Sequence, residues 1–308
     1  MGTWVPSQED PSSRGRLTAV TSLSAWIQGA RPRTLPAAIA PVVAGTGAAA
    51  LEGSAVWWKA LTALGVSLAL QVGVNYANDY SDGVRGTDDN RVGPLRLVGS
   101  GLATPASVKR AAQAALLVGA GLGVLLAATT TWWLLLIGAA ALVAAWTYTG
   151  GPNPYGYHGF GEVSVFVFFG LVAVVGTTYV QVGHITWPSV AAGTAIGALA
   201  CAILVANNLR DVHTDLDAGK RTLAVALGEA RTRTFYVGLG LVAWATVAAS
   251  AWAAPFALLG LFGVLPWLGA ARAVRSGASG PALIPVLQRT GIAELVTAMG
   301  LAVGFVLS

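Results

Sequence analysis

Charged residues are what this sequence has least of. They make up 10% of its 308 residues, against roughly 25% in an average soluble chain. Hydrophobic residues make up 55% of the chain. A chain with this composition has too few charges to cover a water-soluble globule and too many apolar residues to stay disordered. An ordinary soluble enzyme is therefore excluded.

Cysteine is almost absent, because Cys201 is the single one and lies inside an apolar run. A disulfide framework is therefore excluded. The three histidines, at positions 158, 184 and 213, do not have the spacing of metal ligands. Neither cysteine nor histidine chemistry is expected to carry the function.

The scarce charges are also unevenly placed. Three long tracts contain none of them: 111–161, 163–209 and 234–271. Each tract is longer than the roughly 20 apolar residues that cross a bilayer. We predict an all-α, polytopic membrane protein with nine transmembrane helices. The predicted spans are roughly 34–51, 57–79, 106–128, 131–149, 162–182, 188–211, 233–253, 256–273 and 284–307.

The basic residues predict how these spans are oriented. With the N-terminus inside the cell, all 18 lysines and arginines except Lys59 fall on the cytoplasmic side. This asymmetry is typical of plasma-membrane proteins and requires an odd number of spans, which places the C-terminus outside. We expect residues 1–25 to be a polar, flexible segment and residues 26–308 to form a single transmembrane domain.

The acidic residues form two groups on the predicted cytoplasmic side, after the second and sixth spans. The first group is Asp79, Asp82, Asp88 and Asp89, and the second is Asp211, Asp215, Asp217 and Glu229. The segments 75–82 (NYANDYSD) and 207–215 (NNLRDVHTD) resemble each other, because each runs from asparagine into two aspartates three or four residues apart. Two matched elements, four spans apart, indicate two halves of one site.

The aspartate spacing suggests a metal site. On a helix, Asp79 and Asp82 are about 60° apart and Asp211 and Asp215 about 40° apart, so each pair shares a face. Such carboxylates repel unless a cation compensates, and Mg²⁺ prefers carboxylate, water and phosphate oxygens. Basic residues that suit phosphate oxygens lie among them, namely Arg85, Arg91, Arg96, Arg210 and Lys220. The pattern predicts a Mg²⁺–diphosphate site.

An isoprenyl diphosphate is a substrate that would use such a site within a membrane. Loss of diphosphate from an allylic chain leaves a carbocation, which needs aromatic faces and a dry cavity. A bundle that opens to membrane lipid can also take up a long polyprenyl tail. A prenyl transfer enzyme is therefore favoured.

Two of these motifs carry a family resemblance. The segments 78–82 (NDYSD) and 211–215 (DVHTD) resemble the paired aspartate motifs of the UbiA superfamily of intramembrane prenyltransferases. The segments 31–36, 86–101, 148–157 (YTGGPNPYGY) and 207–222 are similar to the branch that prenylates 1,4-dihydroxy-2-naphthoate. The resemblance covers nearly the whole chain after residue 25. It implies nine helices around a central cavity, with Mg²⁺ and the diphosphate at the cytoplasmic end.

The resemblance also assigns roles to residues. It implies that Mg²⁺ is bound by Asp79, Asp82, Asp211, Asp215, Asn78 and Asn208. Asp88 is a weaker metal candidate, because Gly86 stands where the superfamily often has its third aspartate. The diphosphate contacts implied are Asn78, Arg91, Arg96, Asn208, Arg210 and Lys220. Tyr148, at the cytoplasmic end of the fourth span, is expected to touch the cation or the aromatic acceptor.

The activity implied is Mg²⁺-dependent transfer of a polyprenyl group from all-trans-polyprenyl diphosphate to 1,4-dihydroxy-2-naphthoate, with loss of CO₂, in menaquinone biosynthesis. One alternative is a related enzyme with another acceptor, such as 4-hydroxybenzoate, homogentisate or a sugar. A cation-coupled transporter would place its charges near the bilayer midplane, which the clustering at one face disfavours. A non-catalytic scaffold would have no use for matched aspartate pairs.

Glu162, Arg289 and Glu294 are charged residues of the predicted spans that belong to neither motif. Glu162 begins the fifth span, where a helix N-terminus favours a carboxylate and where it could also bind a loop or a substrate hydroxyl. Arg289 and Glu294 lie in the last span, and we expect them to form an intramembrane ion pair.

Overall fold

The computed structural model describes residues 22–86 and 95–308, which form helices and no strand. Nine long helices lie at the positions of the nine predicted spans. They are α1 (Pro36–Leu51), α2 (Trp57–Arg85), α3 (Pro105–Ala128), α4 (Leu134–Thr147), α5 (Gly161–Val182), α6 (Trp187–Arg210), α7 (Glu229–Ser250), α8 (Pro255–Arg275) and α9 (Gly280–Leu307). A short helix, Leu23–Gly29, begins inside the predicted N-terminal segment, of which residues 1–21 lie outside the described residues.

Six of these helices are long and apolar enough to cross a membrane: α2, α3, α5, α6, α8 and α9. A seventh is obtained if α1 and the segment Leu23–Thr34, which meet at a 50° bend, form one broken span. Helix α4 is apolar but has 14 residues. Large apolar side chains such as Leu117, Leu136 and Trp252 are exposed on the outside of the bundle, as contact with lipid requires. The all-helical, polytopic prediction is confirmed, and the count of nine spans stays a prediction.

Local sequence signals explain where the helices begin and end. Prolines occupy the first or second position of α3, α6 and α8, where a missing backbone N–H removes no helical hydrogen bond. The Thr186 hydroxyl accepts from Ser189 N, and the pair forms a capping box at the start of α6. Gly86, with a φ of 72°, terminates α2 in the left-handed region. That turn fixes the end of the helix that carries the first aspartate motif.

Helix α6 is the centre of the bundle, because 78% of its most apolar 18-residue stretch is buried. It packs against α1, α5, α7 and α9. A Cβ at Gly170 of α5 would lie 2.5 Å from the Cα of Gly197, so the two backbones meet closely there. The surrounding part of α5, Phe166–Val172, is a π-helix. The enclosed position of α6 holds its C-terminal end, with the second aspartate motif, in a fixed place.

The charged side chains within the helices are placed in different ways. Lys59 Nζ donates to Thr129 O, Thr130 Oγ1 and Val180 O at 3.2, 3.0 and 2.7 Å, which ties α2 to the end of α3 and to α5. Glu294 is fully buried, and neither of its carboxylate oxygens has a hydrogen-bond partner among the described residues.

The predicted ion pair between Glu294 and Arg289 is therefore wrong. Five residues of helix turn their side chains about 140° apart, so the two point to different neighbours. The Arg289 guanidinium lies instead beside Gly269 of α8, with its Nη1 2.9 Å from the position that a Cβ at Gly269 would take.

Candidate active site

The two aspartate motifs meet at one polar cavity of about 440 Å³. Helix α2 brings Asn78 and Asp82 to its wall. The second motif and the segment after it bring Asn207, Asn208, Arg210, Asp211, Asp215 and Lys220, and Arg96 and Tyr148 complete this part of the lining. Most of the predicted site residues are thus brought together from segments far apart in sequence. Asp88 and Arg91 lie outside the described residues.

Asp82 is a buried carboxylate of this cavity that contacts three other segments. Its side chain is 4% exposed and accepts from Arg96 Nη2 and from Lys220 Nζ, each at 3.3 Å. The Tyr157 hydroxyl donates to Asp82 Oδ1 as well. A buried carboxylate is tolerated because cations and donors surround it. Asp82 therefore holds two candidate diphosphate-binding cations at the cavity wall.

Asp79 is placed differently from the other motif aspartates. It is 1% exposed and is not part of the cavity wall. Its Oδ2 accepts from Leu97 N at 2.7 Å and its Oδ1 from Val98 N at 2.9 Å. Asp79 and Asp82 share a face of α2 but meet different partners, because the backbone at 97–98 binds Asp79 while Asp82 reaches the cavity wall. Asp79 thus anchors the backbone directly after Arg96.

Asp211 is bound by its own neighbour in the sequence. Arg210 Nε and Nη2 donate to Asp211 Oδ1 and Oδ2 at 2.7 and 2.6 Å, and Nη2 also donates to Asn207 Oδ1 at 2.9 Å. Helix α6 ends at Arg210, and a second short helix, Val212–Asp217, follows. The expected continuous helical face is thus interrupted at Asp211, although Asp215 N still donates to Asp211 O at 2.8 Å.

A loop between α4 and α5 is bound to the first motif. The Thr149 hydroxyl donates to Asn78 Oδ1 at 2.7 Å. The Arg85 guanidinium, at the end of α2, donates to the carbonyls of Thr149 and Gly151. The segment that resembles the family at 148–157 is therefore a wall of the site.

The same loop reaches the second motif through Tyr157. Lys220 Nζ lies 4.7 Å from the centre of the Tyr157 ring, and Arg85 lies 5.5 Å from it. Tyr157 O also accepts from Arg221 N at 2.9 Å. The sequence interpretation singled out Tyr148 and missed Tyr157, although Tyr157 closes the YTGGPNPYGY segment on which the resemblance rests.

Tyr148 and Asn208 line the polar cavity and are held by side chains that lie behind its wall. Asn208 Nδ2 donates to Glu162 Oε1 at 2.9 Å, so this predicted ligand is oriented by a buried carboxyl group. The Tyr148 ring meets that of Tyr155 edge to face at 5.4 Å. Burial raises the pKa of the Tyr155 hydroxyl, which donates to Ala144 O at 2.9 Å. These contacts fix the Tyr148 ring at the cavity wall.

A second cavity, of about 360 Å³, adjoins the polar one. It lies among α2, α3, α4 and α5 and is lined mainly by apolar side chains, with Phe168 and Phe169 among them. The two cavities share a wall made of Gln71, Asn78, Tyr148, Val165, Phe169 and Leu204. A cavity with charged side chains thus adjoins an apolar one, which suits a molecule with an anionic end and a hydrocarbon chain.

The donor set of the polar cavity fits Mg²⁺ together with a diphosphate. Among the described residues, no three His, Cys, Asp or Glu side chains lie close enough to hold a metal by themselves. Asp82, Asp211 and Asp215 nevertheless face one cavity, beside the amide of Asn78. Mg²⁺ typically takes one or two carboxylates and completes its shell with water and substrate phosphates. These residues therefore match a Mg²⁺ site whose remaining ligands come from water and the diphosphate.

Comparisons with known proteins agree with this geometry. Residues 38–282 match the UbiA prenyltransferase family. The chain is 58% identical over 283 residues to the 1,4-dihydroxy-2-naphthoate octaprenyltransferase of Mycobacterium tuberculosis, which covers 92% of this chain and 97% of the relative. It is 37% identical to the Escherichia coli enzyme of the same name, over 94% of this chain and 97% of the relative. A UbiA homolog from Archaeoglobus fulgidus, solved with GPP and Mg²⁺, shares the fold with a TM-score of 0.66 at 15% identity, over 92% of this chain and 100% of that one.

Proposed function

Because the chain belongs to the UbiA prenyltransferase family, we propose that it transfers a polyprenyl group from polyprenyl diphosphate to 1,4-dihydroxy-2-naphthoate. The relatives of that name span nearly its whole length. The observation that carries the proposal is the pair of joined cavities, one lined by carboxylates and cations and one apolar. The product is demethylmenaquinol, a step of menaquinone biosynthesis.

The polar cavity binds the diphosphate. Arg96, Lys220 and Arg210 are held there by carboxylates, so their positive charges are already positioned when the substrate enters. Asp82, Asp211 and Asp215 are the proposed Mg²⁺ ligands, with Asn78 and Asn208 ligating or orienting. Bound Mg²⁺ neutralises the negative charge that the diphosphate gains as it leaves.

Asp79 is assigned a supporting role on the strength of its contacts. Both of its oxygens accept backbone N–H groups of the segment that follows Arg96. It therefore positions the Arg96 guanidinium against Asp82. Metal binding by Asp79, as expected from the sequence, stays a prediction beside this anchoring role.

The shared wall is where the new carbon–carbon bond forms. The allylic C–O bond breaks, and the diphosphate leaves with the electron pair. The ring carbon that carries the carboxylate attacks the allylic carbon, and loss of CO₂ returns an electron pair to the ring. The ring faces of Tyr148 and Phe169 stabilise the positive charge, and the apolar second cavity keeps water from capturing it.

The proposal also includes the orientation of the protein in the membrane. Nine spans, a cytoplasmic N-terminus and an external C-terminus would put the polar cavity at the cytoplasmic face of the plasma membrane. The concentration of lysine and arginine on one side of the predicted spans supports this orientation. The tail of the polyprenyl substrate would then lie within the bilayer.

Purified protein in lipid nanodiscs tests the function directly. It is incubated with Mg²⁺, labelled polyprenyl diphosphate and, separately, 1,4-dihydroxy-2-naphthoate, 4-hydroxybenzoate and homogentisate. We expect a prenylated naphthoquinol from the first acceptor, and its loss when EDTA removes the metal. Product from another acceptor and none from the naphthoate would overturn the assignment. Absence of all products, with cation flux in liposomes, would instead support a transporter.

A further inference from the structure

Gln71 of α2 carries an unused hydrogen-bond acceptor in the wall that the two cavities share. Its side chain lines both the polar and the apolar cavity, and the residue is 7% exposed. Its Oε1 has no hydrogen-bond partner among the described residues. Buried carbonyl oxygens are nearly always paired, so an unpaired one at a cavity wall marks a place where a ligand supplies the donor.

The neighbouring Thr34 fixes which end of the Gln71 amide faces the cavities. Thr34 Oγ1 accepts from Gln71 Nε2 at 2.8 Å and from Asn75 Nδ2 at 3.1 Å. Its single proton is donated to Arg31 O at 2.9 Å. A hydroxyl has one donor and two acceptor sites, so all three are used.

A reversed amide would therefore face Thr34 with an oxygen for which no proton is left. The orientation of the Gln71 side chain follows from this hydrogen-bond network, with Nε2 on Thr34 and Oε1 turned away from it. The network therefore leaves an acceptor, and not a donor, unused in a residue of the shared wall.

The chemistry of the two substrates identifies the missing donor, and this step rests on the proposed function. An ionised polyprenyl diphosphate has acceptor oxygens and hydrocarbon but no N–H or O–H group. The aromatic acceptor has two hydroxyl groups and must lie where the prenyl carbon meets it, at the shared wall. Arg31 and Arg33 also line the polar cavity next to Thr34, and their charge suits the acceptor's carboxylate.

We propose that Gln71 Oε1 accepts a hydrogen bond from a ring hydroxyl of the aromatic acceptor. The contact fixes the ring relative to the allylic carbon and favours acceptors with a hydroxyl at that position. An acceptor without this hydroxyl leaves the buried carbonyl unpaired, which is the strongest way for a site to reject an analogue. Gln71 is in this sense an acceptor-binding and specificity residue.

Steady-state kinetics of Gln71→Met in nanodiscs test this proposal. Methionine keeps the length of the side chain and removes the acceptor. We expect the KM for 1,4-dihydroxy-2-naphthoate to rise about tenfold, as loss of one hydrogen bond implies, while the KM for polyprenyl diphosphate stays within about twofold. Gln113→Met is the matched control, because Gln113 is exposed on α3 and lines neither cavity.

Inhibition constants of the two mono-O-methyl ethers of the acceptor give a readout that does not need turnover of the ether. Wild-type protein should bind one ether about tenfold more weakly than the other, and Gln71→Met should bind both about equally. Thr34→Val should also weaken this discrimination and Thr34→Ser should keep it, which tests the network if the Gln71 variant does not fold.

Three results would overturn the inference. They are an unchanged KM for the naphthoate in Gln71→Met, an equal rise in both KM values, or equal inhibition by the two ethers in wild-type protein. Each of these results counts only if the wild-type protein, assayed in parallel, prenylates the naphthoate. A wild-type protein that does not prenylate it would instead contradict the proposed function, so the two failures are distinguishable.

Discussion

The aspartates of the first motif are bound by distant segments, whereas Asp211 of the second motif is bound by the residue next to it. Asp79 binds backbone that is 18 and 19 residues away, and Asp82 binds Lys220, 138 residues away. Asp211 is held by the adjacent Arg210. Motifs that look alike in sequence thus differ in what they do for the structure. Asp79 and Asp82 join separate segments at the cavity, and the Arg210–Asp211 ion pair is formed locally at the end of α6.

The largest effect is expected where the first motif faces the cavity. Asp82→Asn removes the charge that holds Arg96 and Lys220, and it removes a proposed metal ligand. We expect kcat/KM for prenyl transfer to fall by about 100- to 1,000-fold, as for loss of one preorganised charge contact. The measurement is product formation in nanodiscs with saturating Mg²⁺.

Asp217→Asn is the matched control for that change. Asp217 belongs to the second acidic group but is exposed and does not line the cavity, so its variant should keep wild-type activity. If Asp82→Asn retained more than a tenth of the activity, the contacts of Asp82 with distant segments would not be needed for turnover. The functional difference drawn between Asp82 and Asp211 would then be wrong.

A smaller effect is expected at Asp79, and it should appear in stability as well as activity. Asp79→Ala leaves the N–H groups of Leu97 and Val98 without their acceptor. We expect the free energy of unfolding to fall by about 2 to 4 kcal/mol, since each uncovered buried group costs about 1 to 3 kcal/mol. Thermal unfolding of the purified protein in detergent measures it, with Asp217→Ala for reference. An unfolding temperature equal to that of wild type would refute the anchoring role.

The smallest effect is expected at the residue that joins the two motifs. Tyr157→Phe removes the hydroxyl that donates to Asp82 and keeps the ring beside Lys220 and Arg85. We expect kcat/KM to fall by about three- to tenfold, because one hydrogen bond is lost while the cation–π contacts remain. A loss as large as that of Asp82→Asn would mean that Tyr157 acts in the chemistry itself.

The sequence was sufficient to predict the helices and the meeting of the two motifs. Charge-free tracts and helix-starting prolines depend on local composition, so nine helices lie where they were expected. The confinement of Asp82, Asp211 and Asp215 to one end predicted their common cavity. The first inference uses local composition alone, and the second adds the number of predicted spans between the two motifs.

What the sequence could not predict depends on contacts between distant segments. The direction of Asp79 depends on how the backbone at 97–98 folds back against α2. The unpaired oxygen of Gln71 depends on how a threonine 37 residues away uses its one proton. The ion pair predicted for Arg289 and Glu294 required a bend to bring together side chains about 140° apart, and both Glu294 oxygens are unpaired among the described residues.

The wall common to the two cavities has an evolutionary consequence. Residues that line the apolar cavity alone, such as Gly123, Gly138 and Gly176, can vary without touching the diphosphate or the acceptor ring. On the proposed function, selection on tail length and selection on chemistry would act on largely separate sets of positions, which share six residues. Substitutions confined to the apolar cavity could then suit the enzyme to a different isoprenoid chain length, while the residues that carry out the reaction stay the same.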